Sequence, residues 1–122
     1  MKIAIPVDEK NMEANVNVSF ARAPYFLIYD TETKETIFLD NSAAASTGGA
    51  GIKAAQTIVD NKADALLTPR CGEKAAEVLK SADIKIYKTT FASVKDNIDA
   101  FIARKLSILD EIHAGFHGQV GN

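Results

Sequence analysis

The single cysteine of this chain, Cys71, stands between two features that favour a charged thiolate. In "TPRCGEKAAEVLK" (68–80) it follows Arg70 and comes just before Gly72 and a helical pattern. A helix start offers unpaired N–H groups, and such placements lower a cysteine pKa of about 8.5 into the range of roughly 3.5–7.5. Thiolates bind soft metals and metal–sulfur clusters. A small buried residue that fills a gap at the end of a strand fits the same position, so both interpretations stay open.

A second candidate is the small-residue loop "STGGAG" (46–51), which precedes another helical pattern. Gly48, Gly49 and Gly51 leave backbone N–H groups bare, and the helix start adds its dipole, so the loop could cradle an anion. The pattern is neither a Walker A loop nor a G-x-G-x-x-G fingerprint. A tight turn without a ligand is the alternative.

Arg22 is the third candidate, in "SFARAPYF" (19–26), where Pro24 fixes the start of a strand. An arginine at the edge of a sheet could pair with an anionic ligand, although a solvated surface charge is the usual outcome. Ser19 is a polar neighbour in the same loop with no independent claim to a role.

His113 and His117 are four residues apart near the C-terminus. On a continuous helix they would share a face and could chelate a metal ion. Gly115 argues against that helix, and a solvated tail is the favoured alternative. The chain shows no zinc pattern, no Ser–His–Asp arrangement and no paired carboxylates, so no catalytic residue is predicted.

Composition narrows the class of protein. The 122 residues are 47% hydrophobic, which is enough to bury the core of one domain. The net charge of −2 indicates neither nucleic acid nor an anionic membrane surface as a partner. A lone cysteine forms no internal disulfide, and the apolar run before Asp8 is too short for a signal peptide or a membrane span. We therefore expect a cytoplasmic protein.

The hydrophobic patterns predict an α/β fold with the order β-β-β-α-β-α-β-α, in which an antiparallel start precedes alternating βα units. Such an order predicts a mixed sheet whose ligand-binding loops gather at the carboxyl ends of its strands. We expect one domain over 1–108, followed by a helix end and flexible tail over 109–122. The predicted strands are 2–7, 24–30, 35–41, 63–68 and 84–89, and the predicted helices are 52–62, 72–82 and one from about 93 to a point between 105 and 112.

Several stretches together resemble the dinitrogenase iron–molybdenum cofactor-binding domain, the small domain of NifX, NafY and the C-terminal part of NifB. They are "MKIAIPVD", "VNVSFARAPYFLIYD", "GGAGIKAAQTIVDNKADALLT" and "KAAEVLKSADIKIYK". The resemblance runs from about residue 1 to residue 106. It implies a ribonuclease H-like fold with a five-stranded mixed sheet, and binding of an iron–sulfur or iron–molybdenum cluster, or a precursor.

The chain departs from the family pattern at two places. The family wording H-F-G-R-A-P-Y-F implies a cluster-holding histidine where this chain has Ser19, and a glycine where it has Ala21. The loop that usually reads G-x-I-G-P is here 68–73, "TPRCGE", which contains Cys71. The histidine that the family pattern supplies as a ligand candidate is thus missing, and this chain has Cys71 as a new candidate instead.

The leading hypothesis is a non-catalytic carrier of a labile metal–sulfur cluster, serving cofactor-assembly or acceptor proteins as a monomer or weak homodimer. Cys71 would supply the thiolate ligand, with His113 and His117 as further metal ligands. Arg22 and Arg70 would offset the cluster's charge, and the glycine loop would donate N–H bonds. The alternative is a small regulatory or scaffold domain that binds a protein partner without metal.

Overall fold

The computed structural model describes residues 1–109, which form one five-stranded mixed sheet with helices on both faces. The strand order is β3-β2-β1-β4-β5. The predicted order of elements is confirmed, with a short 3-10 turn added at Ser42–Ala45. The elements are β1 (Lys2–Val7), β2 (Tyr25–Asp30), β3 (Thr36–Asp40), α1 (Ala50–Asp60), β4 (Ala65–Thr68), α2 (Glu73–Ser81), β5 (Lys85–Lys88) and α3 (Val94–Ile102).

The middle of the sheet consists of the most apolar strands. β1, β2 and β4 are buried over nearly their whole lengths, because elements cover both of their faces. β1 pairs antiparallel with β2 and parallel with β4, while β5 pairs parallel with β4. β3 pairs antiparallel with β2 and therefore runs in the same direction as β1. The mixed sheet predicted from the order of elements is confirmed, and the ribonuclease H-like assignment stays a prediction.

Each face of the sheet has its own core. On the first face, Phe26 and Leu66 of the sheet lie under Ala54 of α1 and Leu79 of α2. On the second face, sheet residues such as Leu67 lie under Ile98 and its neighbours in α3, together with part of the long loop after β1. Loop residues near the carboxyl ends of the strands also belong to these cores: Phe20, Ala43 and Cys71 to the first, and Ala14 to the second.

The last helix is shorter than predicted. It begins as expected, with the hydroxyl of Ser93 accepting a 3.0 Å hydrogen bond from the backbone N–H of Asp96. It ends at Ile102 rather than between 105 and 112, because the chain turns at Arg104 with a φ of 61°. A left-handed residue cannot continue a right-handed helix. Residue 109, predicted to be a helix end, is therefore not helical.

The misleading signal was the spacing of Leu106 and Leu109, which matches a helical repeat. Both residues are buried, but Leu106 packs in the core of the second face and Leu109 in the core of the first. Between them, Ile108 forms a bridge with Tyr87 of β5. Over the described residues 1–109, no helix combines the length and apolarity needed to cross a bilayer.

Candidate functional site

Four loops meet at one edge of the sheet, as the order of elements predicts. β1, β3, β4 and β5 share a direction, so the loops 8–24, 41–49, 69–72 and 89–93 all follow carboxyl ends of strands. Backbone bonds hold these loops in place: the N–H of Val16 donates to the carbonyl of Ala92 at 2.8 Å, and the N–H of Thr89 donates to the carbonyl of Thr68, the last residue of β4, at 3.3 Å. We refer to these four loops as the carboxyl edge.

Arg22 lies against the glycine-bearing loop. Its Nη1 donates hydrogen bonds to the carbonyl oxygens of Ala44 at 2.9 Å and Ser46 at 2.7 Å. The backbone N–H of Arg22 in turn donates to the hydroxyl of Ser19 at 3.2 Å. Both described side-chain bonds use Nη1, so the donors on Nε and Nη2 face no described acceptor. The arginine is thus part of the predicted edge, and Ser19 fixes its backbone.

Lys53 is a second cation at the same loop that the sequence reasoning missed. Its Nζ lies 3.2 Å from the hydroxyl oxygen of Ser46. Lys53 is in the first turn of α1, four residues after Gly49, and that position is the signal that could have found it. Ser46 therefore contacts one cation through its carbonyl and another through its hydroxyl.

The glycines differ in what they do. Gly49 caps α1 with a φ of 69°, a left-handed conformation that a residue with a Cβ adopts at a cost, and no side chain caps the helix. A Cβ at Gly48 or Gly49 would meet no atom within 4 Å, so both face open space. A Cβ at Gly51 would lie 3.5 Å from the Cβ of Ala75, an ordinary packing distance between the two helices. Only the first two are placed to approach a ligand.

Cys71 does not have the environment predicted for it. Its side chain is only 2% exposed and lies in the core of the first face, among residues that include Phe20, Ala43 and Ala75. Burial raises the pKa of the Cys71 thiol to about 11, while the charge of Lys80 opposes this rise. The predicted lowering is wrong, because exclusion of water penalises the thiolate more than the helix start and nearby cations favour it. Cys71 is a buried thiol that fills a gap at the end of β4.

Arg70 remains at the edge without a described anchor. It directly follows Pro69 after β4 and its side chain is exposed. Its carbonyl accepts a 2.9 Å hydrogen bond from the hydroxyl of Thr68, which shapes the short loop before α2. The structure places Arg22 with the glycine loop by direct contacts, and it places Arg70 on another loop of the same edge.

Two buried asparagines hold the loops of the carboxyl edge, and the sequence reasoning did not identify them. The side chain of Asn97 is fully buried; its oxygen accepts from the N–H groups of Thr90 and Phe91, and its amide donates to the carbonyls of Phe91 and Ser93. An asparagine on the apolar side of a helix was the available signal. Asn97 thereby fixes loop 89–93.

Asn41 holds the loops at the opposite end of the carboxyl edge. Its Nδ2 donates to the carbonyls of Ala21 and Ala23 at 3.0 and 2.9 Å, and its Oδ1 accepts from the N–H of Ala43 at 3.2 Å. This joins the Arg22 loop to the segment that leads into the glycines. The position of Arg22 therefore rests on a buried hydrogen-bond network.

Apolar side chains are exposed on the same edge. Val18 is 70% exposed and Phe91 is 51% exposed. The loops that carry them are joined by a bridge between Asn15 and Ser93. A contiguous exposed apolar patch is typical of a surface that contacts another molecule, and these two side chains are apolar residues that the carboxyl edge would contribute to one.

No preformed metal-ligand set exists within residues 1–109: nowhere in that range do three or more His, Cys, Asp or Glu side chains group together. The predicted ligands His113 and His117 lie outside the described residues. Among the described candidates, the carboxyl edge offers cations, backbone N–H groups and apolar contacts rather than thiolate or imidazole.

Known proteins of similar sequence and structure cover nearly all of the chain. A curated relative, an uncharacterized protein of Methanocaldococcus jannaschii, is 29% identical over 109 residues, which are 87% of this chain and 89% of that one. The apo form of the orange protein from Desulfovibrio gigas has a TM-score of 0.85 at 28% identity, over 89% of this chain and 92% of that one.

A putative NifB protein from Thermotoga has a TM-score of 0.80 at 34% identity, over 98% of both chains. The family model described as "Dinitrogenase iron-molybdenum cofactor" matches residues 1–104. This match includes the Arg22 loop, the glycines and the Cys71 loop. The chain therefore belongs to the dinitrogenase iron–molybdenum cofactor family.

Proposed function

We propose that this protein is a non-catalytic carrier of an iron–sulfur or iron–molybdenum cluster, or of a precursor, in metallocofactor assembly. The cluster would be cargo, held at the carboxyl edge. The observation that carries the proposal is the Arg22 guanidinium, fixed by two hydrogen bonds on the loop that leads to the exposed glycines. Family membership supports a role connected with an iron–molybdenum cofactor.

The chemistry of the edge suits an anion. Arg22 and Lys53 both contact Ser46, and the uncapped start of α1 follows within a few residues. Backbone N–H groups at a helix start favour negative charge, and Gly48 and Gly49 allow a large ligand to come close to them. Metal–sulfur clusters carry net negative charge on exposed sulfides, which accept hydrogen bonds from such groups. Arg70 would add a further positive charge from the neighbouring loop.

Cys71 has no place in this mode of binding. Its sulfur is buried under α1 and α2, so it reaches a ligand only if the core of the first face opens. Charge and hydrogen bonds would therefore hold the cluster, with bonds to metal supplied by ligands already on the cluster or by His113 and His117. Binding without a protein thiolate would be readily reversible, which suits delivery to another protein.

The partners would be cofactor-assembly or acceptor proteins. Val18 and Phe91 are exposed on loops of the carboxyl edge, and Val18 shares its loop with Arg22, so a partner that docks on this edge would lie close to the cargo. Transfer between two proteins requires that both reach the cluster, and an apolar contact beside the site would provide this.

The test is anaerobic reconstitution with iron, sulfide and molybdate, followed by desalting and elemental analysis. Wild type should retain metal and sulfide, and Arg22→Ala should retain several-fold less. Cys71→Ala should retain as much as wild type. Loss of uptake in Cys71→Ala alone would show a thiolate-ligated cluster instead, and wild-type protein free of metal would refute the carrier role.

A second candidate is a small regulatory or scaffold domain that binds a protein partner without metal. The exposure of Val18 and Phe91, together with the burial of the only thiol, favours it. Elemental analysis of protein purified anaerobically separates the two: a metal-free protein that also fails to reconstitute belongs to this second class.

A further inference from the structure

The two outermost strands of the sheet, β5 and β3, form its lateral edges, and these two edges are not equivalent. At β5, residues 107–109 cover the edge: the N–H of Lys88 donates to the carbonyl of Ser107 and the N–H of Leu109 donates to that of Ile86, both at 2.8 Å. β3 forms the other edge and pairs only with β2 among the described residues. An edge strand with unpaired backbone groups is a template for pairing with another strand.

The backbone groups that β3 leaves outward follow from its register. The carbonyl of Glu35 and the N–H of Asn41 both bond to the β2 side at 3.0 Å. Because the direction of these groups alternates along an antiparallel pair, Thr36, Phe38 and Asp40 direct their N–H and C=O groups away from β2. Three consecutive outward positions are thus open for pairing.

The side chains of β3 complement one another under a two-fold rotation. Ile37, in the middle of the strand, is 54% exposed. Lys34 lies in the left-handed turn two residues before the strand, with a φ of 66°, and Asp40 ends the strand. Asp40 already lies 3.2 Å from Lys10 of its own chain, but both side chains are largely exposed and one carboxylate can accept from two cations. When an antiparallel copy of the strand lies alongside, Lys34 of each copy is therefore near Asp40 of the other, and the two Ile37 side chains meet in the centre.

We propose that β3 pairs antiparallel with β3 of a second copy of this chain, with the two-fold axis at Ile37. Thr36 of each copy then lies opposite Phe38 of the other and exchanges backbone hydrogen bonds with it. The side chain of Lys34, in the turn before the strand, then extends towards Asp40 at the end of the partner strand. The sheet continues across both copies, and the exposed Ile37 side chains cover each other.

The charges select this register over its neighbour. An axis at Phe38 would place Asp40 opposite Thr36, and it would place Lys34 opposite Ser42. Of these two registers, the axis at Ile37 brings the cation closer to the anion. A single pair of five-residue strands buries little surface, so the dimer is weak, at the small end of specific interfaces. The proposal is independent of any cargo.

Sedimentation velocity on the full chain, from about 10 µM to about 1 mM, tests the association directly. Wild type should dimerise as its concentration rises. Ile37→Lys should stay monomeric, because it places like charges on the axis. Ile102→Lys is the matched control, since Ile102 is 52% exposed but lies in α3, and it should dimerise like wild type. A wild-type monomer at the highest concentration overturns the proposal.

Engineered cysteines test the register. Under mild oxidation Ile37→Cys should crosslink two copies, whereas Leu39→Cys should not, because position 39 faces position 35 of the partner. The buried Cys71 provides little background. Lys34→Glu should weaken dimerisation, and adding Asp40→Lys should restore it. Circular dichroism confirms that each variant is folded, and a crosslink at position 39 without one at 37 overturns the assigned axis.

Discussion

The guanidinium of Arg22 donates a 2.7 Å hydrogen bond to the carbonyl of Ser46, 24 residues further along the chain. The bond joins the loop after β1 to the loop after β3. It gives the arginine a fixed position at the carboxyl edge although its side chain is exposed. Arg22 thus holds the loop that leads to the exposed glycines and, under the proposed function, would also offer a charge to the cluster.

Replacing Arg22 should loosen this loop with little effect on the fold. In Arg22→Ala, amides between Ala43 and Gly48 should exchange hydrogen about tenfold faster, corresponding to a loss of roughly 1.4 kcal/mol of local stability. The free energy of global unfolding should fall by less than about 1 kcal/mol, because the side chain is exposed. Arg22→Lys keeps the charge without the two-carbonyl contact, so its loop should also exchange faster. Unchanged exchange in both variants would contradict this role.

The Cys71 thiol should be unreactive in the folded protein. A pKa of about 11 in place of the ordinary 9.0 leaves a thiolate fraction about 100-fold smaller at neutral pH. Alkylation by iodoacetamide should therefore be slow at pH 7, rise steeply towards pH 11, and become fast once the protein is unfolded in urea. Rapid alkylation of folded protein at pH 7 would show that the core over Cys71 opens readily.

The same raised pKa makes stability depend on pH in alkali. The folded state binds the proton on Cys71 more tightly than the unfolded state does. The contribution of the protonated thiol to the free energy of unfolding is therefore fully present below about pH 9 and is lost as the pH rises to about 11. The loss amounts to up to about 3 kcal/mol. The stability difference between wild type and Cys71→Ala should narrow across this window, as measured by urea unfolding at each pH. A constant difference would contradict the shift.

Replacing Asn97 should lower the stability of the protein more than replacing most other polar residues. Asn97→Ala leaves the buried N–H and C=O groups of loop 89–93 without partners and should lower the free energy of unfolding by about 3 kcal/mol. Asp99→Ala, an exposed change two residues away on the same helix, should lie within about 0.5 kcal/mol of wild type. Chemical denaturation measures both. Equal effects would mean that loop 89–93 is held by other contacts.

Alanine substitutions at Gly49 and Gly51 should have different effects on stability, because the two glycines differ in backbone conformation. Gly49→Ala should destabilise the protein by about 1 kcal/mol, since its φ of 69° strains any residue with a Cβ. Gly51→Ala should be neutral or stabilise by up to about 1 kcal/mol, because the methyl group finds ordinary contact and alanine favours a helix. Thermal unfolding of the pair measures this. If Gly51→Ala were the more harmful, the helices would be packed more tightly there than the 3.5 Å distance indicates.

Local patterns predicted the elements of the sheet well. β1 and β2 consist of apolar runs bounded by turns, so their positions follow from the neighbouring residues alone. The loops at the carboxyl edge were also predictable, because the order of elements determines the direction of each strand. The end of α3 was not, since Leu106 and Leu109 have helical spacing but pack on opposite faces of the sheet.

The site depended on contacts that are distant in sequence. Cys71 is buried in a core whose members include Phe20 and Ala43, which a local reading of its own loop does not include. The carbonyl partners of Arg22 are likewise more than 20 residues away. Residue type and spacing could therefore nominate the arginine and the cysteine equally, and only packing distinguished the exposed cation from the buried thiol.

Leu106 and Leu109 lie three residues apart, and the chain crosses the rim of the sheet between them. One short segment therefore closes both layers of the molecule at once. A cut or an insertion at this point should disturb both cores together, because Leu106 packs in one and Leu109 in the other. The short stretch after α3 thus links the core under α1 and α2 to the core under α3, on the opposite face of the sheet.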